Sequence, residues 1–181
     1  MVWVEAARGP RRAGVGVLVA PDRVLTNDHV VGAASVVSFR GVDGAVGVAA
    51  ILVRRPGDPG DTTGVITDRS RLDYALLQLA APLPAPCSAA RGRVEAGGPL
   101  FVVGWPRDAD APRVWPVVAA GADPTGTRVW YRGDVPRGAS GALVIDGAGH
   151  PVAIHHARLR DGRWQGVSMA AIDADLALRG P

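Results

Sequence analysis

Glycine and proline cut this chain into short apolar runs, and that punctuation limits the folds open to it. Across 181 residues there are 24 glycines and 15 prolines. They recur about every ten residues between Val-, Leu-, Ala- and Ile-rich stretches, a pattern that starves long helices and suits an all-β sandwich or barrel. The runs predict twelve strands at 2–6, 14–20, 23–26, 35–40, 46–54, 75–79, 100–105, 114–119, 128–132, 142–146, 151–156 and 166–170. The second and third form a hairpin across Pro21-Asp22. One helix is expected at 171–179, where Ile172, Leu176 and Leu178 fall near helical spacing and Asp173 and Asp175 suit its first turn. A single helical turn follows Thr26, with Asn27 as its N-cap. Residues 55–71 read as a surface loop, and 80–98, rich in Pro, Ala and Gly, as a connection between two halves.

Composition narrows the classes further. The length suits one domain with a substantial core, and no apolar run approaches the roughly 20 residues of a membrane helix. The net charge is +3 and the pI about 9.9, with every basic residue an arginine. The arginines are scattered in runs no longer than two and aromatic residues make up only 5%, so nucleic acid is not an expected partner. Arginine-only usage with abundant Ala, Gly, Val and Pro fits a GC-rich bacterial genome. Cys87 is the only cysteine, which rules out an internal disulfide. The N-terminal residues carry charge before any signal-like apolar stretch, so the expected location is the cytoplasm.

The chemistry concentrates around Asp134-Val135-Pro136-Arg137-Gly138-Ala139-Ser140-Gly141, a polar loop that sets one serine between glycines just before an apolar strand. A serine hydroxyl is a weak nucleophile at neutral pH and needs a base, and the base needs an orienting group. His29, in Thr26-Asn27-Asp28-His29, and Asp73, in Leu72-Asp73-Tyr74-Ala75-Leu76-Leu77, are candidates for both. Asp28 is adjacent to His29, but neighbouring side chains seldom meet, and it is expected to be a solvated turn residue. The four histidines, His29, His150, His155 and His156, show no ligand spacing with carboxylates or with the cysteine. Neither a metal nor a cofactor is expected.

The three segments, in the order His, Asp, Ser, resemble the signatures of the trypsin-like serine proteases, above all the bacterial HtrA-like and glutamyl-endopeptidase-like branch. That resemblance implies two six-stranded antiparallel β-barrels with a short C-terminal helix, one barrel within about 1–80 and the other within about 99–181. It implies a catalytic triad of His29, Asp73 and Ser140, with an oxyanion hole at the N–H groups of Gly138 and Ser140, acting on protein or peptide substrates. Where trypsin-like zymogens carry an aspartate before the nucleophile, this chain has Ala139, so activation by a cut N-terminus is not expected. Two residues bear on the specificity pocket. Asp134, six residues before Ser140, matches the pocket floor that selects basic side chains, whereas His155 in Ala153-Ile154-His155-His156 resembles the pocket histidine of glutamyl endopeptidases, which receives acidic ones. The histidine pair also reads simply as adjacent strand residues facing opposite ways. Similar short modules occur in bacteria as effector or regulatory domains, which implies specific targets and a regulatory partner; the rival reading is a latent or non-catalytic binding module on the same fold.

Overall fold

The computed structural model describes residues 1–6, 13–41, 44–57, 72–83, 90–106 and 109–178. The loop expected at 55–71 lies mostly outside these, as do Cys87 and Arg179. Twelve strands and two short helices are present among the described residues. Strands β1 (Val2–Ala6), β2 (Ala13–Ala20), β3 (Arg23–Thr26), β4 (Val36–Gly41), β5 (Val46–Arg55) and β6 (Tyr74–Leu79) close into an antiparallel barrel in the order β1-β2-β3-β6-β5-β4. Strands β7 (Pro99–Gly104), β8 (Arg113–Ala122), β9 (Arg128–Arg132), β10 (Leu143–Asp146), β11 (Pro151–Arg158) and β12 (Trp164–Ser168) close a second barrel in the order β10-β11-β12-β9-β8-β7. Both barrels thus repeat one winding of the chain. The β2–β3 hairpin turns at Pro21-Asp22, with Ala20 opposite Arg23.

Each barrel has its own core, and a third cluster joins them. Leu25, Leu72 and Tyr74 from the first half pack with Ile154 and Val167 of the second barrel and with Met169 and Ile172 just beyond it. All seven are nearly or fully buried. At about 1.5–3 kcal/mol for each large apolar side chain removed from water, this shared cluster holds the barrels as one body. Helix α2 (Met169–Ala177) seals it, and Asp175 of that helix accepts hydrogen bonds from Tyr74 Oη at 2.6 Å and Arg55 Nε at 2.8 Å.

Three local expectations are corrected. Helix α2 begins at Met169 rather than at 171, because the Ser168 hydroxyl caps it by accepting from the Ala171 N–H. Asp173 and Asp175 therefore lie beyond the first turn, where they pair with Arg91 and with Arg55 and Tyr74. The single turn α1 (Asp28–Val31) forms where expected, but the Asn27 side chain does not cap it. Asp28 is buried rather than solvated, its carboxylate taking two hydrogen bonds from Arg54 at 2.6 and 3.1 Å.

Candidate active site

The ends of several elements meet between the barrels. Strand β3 delivers His29 through the turn α1, and the chain enters β6 through Asp73. Asp73 is the one non-glycine with positive φ among the described residues, at 57°, a conformation that aspartate tolerates better than most side chains. It is fixed from both barrels. The Asn27 amide donates to the Asp73 carbonyl at 3.1 Å, and the buried Arg128 of β9 donates to the Leu72 carbonyl at 3.1 Å. Gly57 packs directly over the side chain: a Cβ there would lie 2.8 Å from Asp73 Cβ.

The carboxylate is 1% exposed and fully engaged. Its Oδ1 accepts the His29 backbone N–H at 3.0 Å, and its Oδ2 accepts His29 Nδ1 at 2.7 Å. With the proton held at Nδ1, the basic lone pair of His29 is at Nε2, on a ring that is 40% exposed. A second imidazole, His156 of β11, brings Nε2 to 2.8 Å from the same Oδ2. Burial pushes the Asp73 carboxyl up, but the hydrogen bonds from His156 and His29 and their fields outweigh it and hold the group well below the usual carboxylate range.

Ser140 comes from a loop that the second barrel presses against the first. Its carbonyl accepts the Val15 N–H at 2.8 Å, and Thr26 Oγ1 donates to the Val15 carbonyl at 2.8 Å. Only glycine fits next to it: Gly141 has φ 82°, and a Cβ there would fall 1.9 Å from Val15 O. The Ser140 hydroxyl donates to the His156 carbonyl at 3.4 Å. Gly138 has φ 88°, and among the described residues neither its N–H nor that of Ser140 is taken up by a hydrogen bond. Ala139 between them is buried.

The two specificity candidates differ in setting. Asp134 is exposed on the loop after β9. His155 is 2% exposed, with Nδ1 2.5 Å from the Tyr131 hydroxyl and its ring 5.1 Å from that of Trp164. Burial first, then repulsion from His156 and His29, pushes the His155 imidazole down to about 3, so it is neutral at pH 7.

His156 is the member of this cluster that sequence reasoning did not single out. Strand alternation places it opposite in sense to His155, which signals a ring facing out of the second barrel's core, but not what lies across from it. His29 Nδ1, Asp73 Oδ2 and His156 Nε2 all lie within 4.8 Å of one another, the kind of grouping that can ligate a metal. The 2.7 and 2.8 Å separations are hydrogen-bond distances, shorter than the roughly 3.3 Å between ligands set tetrahedrally about 2.0 Å from zinc. The cluster as it stands has hydrogen-bond geometry.

Two barrels of one winding, meeting along a seam that carries these groups, define the chymotrypsin fold, the fold of a large class of serine endopeptidases. Comparison with solved structures agrees. The chain is similar to the Rv3671c protease of Mycobacterium tuberculosis in its active form, with TM-score 0.76 and 20% identity over 97% of this chain and 78% of that one. It is similar also to the inactive form of that protease, with TM-score 0.73 and 22% identity over 99% and 88%. A serine endoprotease from Yersinia pestis superposes with TM-score 0.70 and 17% identity over 98% of this chain and 61% of that one. A comparison with curated protein sequences finds no significant match. The family model described as trypsin-like peptidase domain matches residues 14–154, well over half of the chain. The chain belongs to that family, and by class it is a serine endopeptidase.

Proposed function

We propose that this chain hydrolyses peptide bonds through an acyl-enzyme formed on Ser140. The observation that carries this reading is the buried Asp73 carboxylate, 1% exposed, 2.7 Å from His29 Nδ1 and linked to Ser140 through His156, whose ring reaches Asp73 and whose carbonyl takes the Ser140 hydroxyl. Ser140 Oγ leaves the His156 carbonyl and attacks the substrate carbonyl carbon, while its proton passes to His29 Nε2. Asp73 holds the ring in the required tautomer and stabilises the imidazolium. The carbonyl oxygen becomes an oxyanion and takes the unengaged N–H groups of Gly138 and Ser140, each donor worth roughly 2.7–4 kcal/mol in the transition state. His29 then protonates the departing amine, and water reverses the sequence to release the acid.

The chain acts as one peptidase unit, since a shared apolar cluster ties the two barrels, with its connection at about 81–98. Ala139, small and buried, offers no carboxylate for a newly cut N-terminus, so the site does not await that kind of activation. Among the described residues no helix is long and apolar enough to cross a membrane; the lone cysteine and the arginine-only composition support a bacterial, cytoplasmic protease, and the resemblance to short bacterial effector modules supports a few specific targets under a regulatory partner. A second reading, a latent module, draws on the Ser140 hydroxyl being turned to the His156 carbonyl.

A mixed peptide library incubated with the wild type and with Ser140→Ala, with cut sites read by mass spectrometry, tests the proposal. Cuts that vanish in the variant support it; no cuts by either protein favour the latent module, and cuts that persist in the variant contradict Ser140 as nucleophile. The residue before the cut also divides the specificity candidates. Basic residues would implicate exposed Asp134 as an attracting charge; acidic residues would implicate the neutral imidazole of His155.

A further inference from the structure

Strand β11 does not run regularly through its histidine pair. Pairing with β12 sets His155 opposite Gly166 and Ala157 opposite Gln165, so His156 is an extra residue without a cross-strand partner. Such a bulge re-aims a side chain, and bulges concentrate beside active sites for that reason. Here the re-aimed ring crosses from the second barrel to the first and puts Nε2 2.8 Å from Asp73 Oδ2. Its other nitrogen, Nδ1, lies 3.1 Å from Nε2 of Gln165, a fully buried side chain of β12. The Gln165 amide nitrogen carries N–H groups and no usable lone pair, so Nδ1 accepts here and the ring proton that faces the carboxylate is the one on Nε2.

We propose that His156 is a positioning residue: held by Gln165 as the Nε2–H tautomer, it clamps the Asp73 carboxylate from the second barrel and thereby fixes the group that orients His29. The inference rests on the hydrolytic reading above for its effect on turnover. Oδ2 receives both rings and Oδ1 receives the His29 N–H. Three donors from two barrels leave the carboxylate no free rotation. Removing the His156 ring would leave a buried lone pair unsatisfied and release Asp73 about its Cβ–Cγ bond. The ring meets the Asp73 carboxylate, stands with its centre 5.5 Å from that of His29 and acts electrostatically on His155 of the same strand; Gln165 is its neutral partner, and the Ser140 hydroxyl bonds the His156 carbonyl.

The test combines spectroscopy with kinetics on the intact chain. In protein with 15N-labelled histidine, the expected spectrum at neutral pH has carboxylate-bonded protons on His29 Nδ1 and on His156 Nε2, with His156 Nδ1 unprotonated. His156→Leu should lower kcat about ten- to a hundredfold with little change in KM, the range for a lost hydrogen bond to a charged group. His156→Gln, whose amide nitrogen replaces Nε2 as donor, should recover most of that loss. Gln165→Glu, which offers Nδ1 an acceptor instead of a donor, should shift the acid limb of the kcat/KM profile. A protonated His156 Nδ1 in the wild type overturns the proposal, as does His156→Leu with wild-type kcat and pH profile. A wild type that shows the His156 proton on Asp73 but cleaves nothing supports the clamp and defeats the hydrolytic reading; a wild type that cleaves without that proton does the reverse.

Discussion

Lowering the pH below neutrality should weaken this protein through the buried His155. The ring is 2% exposed and its titration is pushed down to about 3 by burial and by the two nearby histidines. Above the ordinary histidine value of about 6.5 the ring is neutral in both folded and unfolded chains, and its contribution does not change with pH. Below it the unfolded chain binds a proton that the folded one refuses, so stability falls as pH falls. The slope approaches about 1.4 kcal/mol per pH unit, and between pH 6.5 and 4 the loss reaches about 3 kcal/mol, a large part of a domain's usual 5–15 kcal/mol. The perturbation that isolates this effect is His155→Gln. Its absolute stability will drop with the loss of the Tyr131 partner, but it should lack the extra pH slope. Urea unfolding of both proteins in steps from pH 7 to pH 4, with m-values checked for constancy, gives the difference directly, since the other histidines are common to both. The gap between wild type and variant should shrink steadily on acidification. Parallel loss of stability in the two proteins would refute the argument. Below the ordinary aspartate value Asp73 adds a second loss of the same sign, because its depressed titration leaves the unfolded chain alone to take the proton.

Three substitutions probe the rest of the frame. Gly141→Ala places a methyl 1.9 Å from Val15 O at a positive φ, and should cost several kcal/mol or prevent folding, read by thermal melting. Gly57→Ala drives a Cβ to 2.8 Å from Asp73 Cβ; displacing Asp73 by a fraction of an ångström should lower kcat about tenfold or more while far-ultraviolet circular dichroism stays unchanged. Tyr74→Phe removes the 2.6 Å hydrogen bond to Asp175, and its urea midpoint should report a loss of about 1.5–3 kcal/mol, the range for a bond to a charged group.

The strands were legible because each is bounded by local signals. Arg23–Thr26 sits between Pro21-Asp22 and Asn27, and Arg128–Arg132 between Gly126 and Gly133, so the boundaries follow from neighbours in sequence. The closure of two barrels came from the resemblance of three motifs, not from the strands themselves. What escaped was decided by partners distant in sequence. Asn27 had a cap's identity, but its amide went to the Asp73 carbonyl, 46 residues away. Asp28 looked like a turn residue and is buried because Arg54 of β5 reaches it. The bulge at His156 depends on how β12 pairs with β11, which no pattern within one strand reveals. The start of α2 is different: Ser168, directly before the helical Met169-Ala170-Ala171-Ile172, is a local cap signal, and the apolar run across 166–170 masked it by reading as strand.

The most direct test of the hydrolytic account is covalent labelling with an aryl fluorophosphonate, followed by intact mass and peptide mapping. The reagent reports a serine made nucleophilic by its neighbours and does not depend on knowing the substrate. The account predicts one adduct per chain, on Ser140, formed far more slowly in His29→Ala and Asp73→Asn and not at all in Ser140→Ala. An unmodified wild-type chain, or labelling that proceeds at the same rate when His29 is removed, would contradict it.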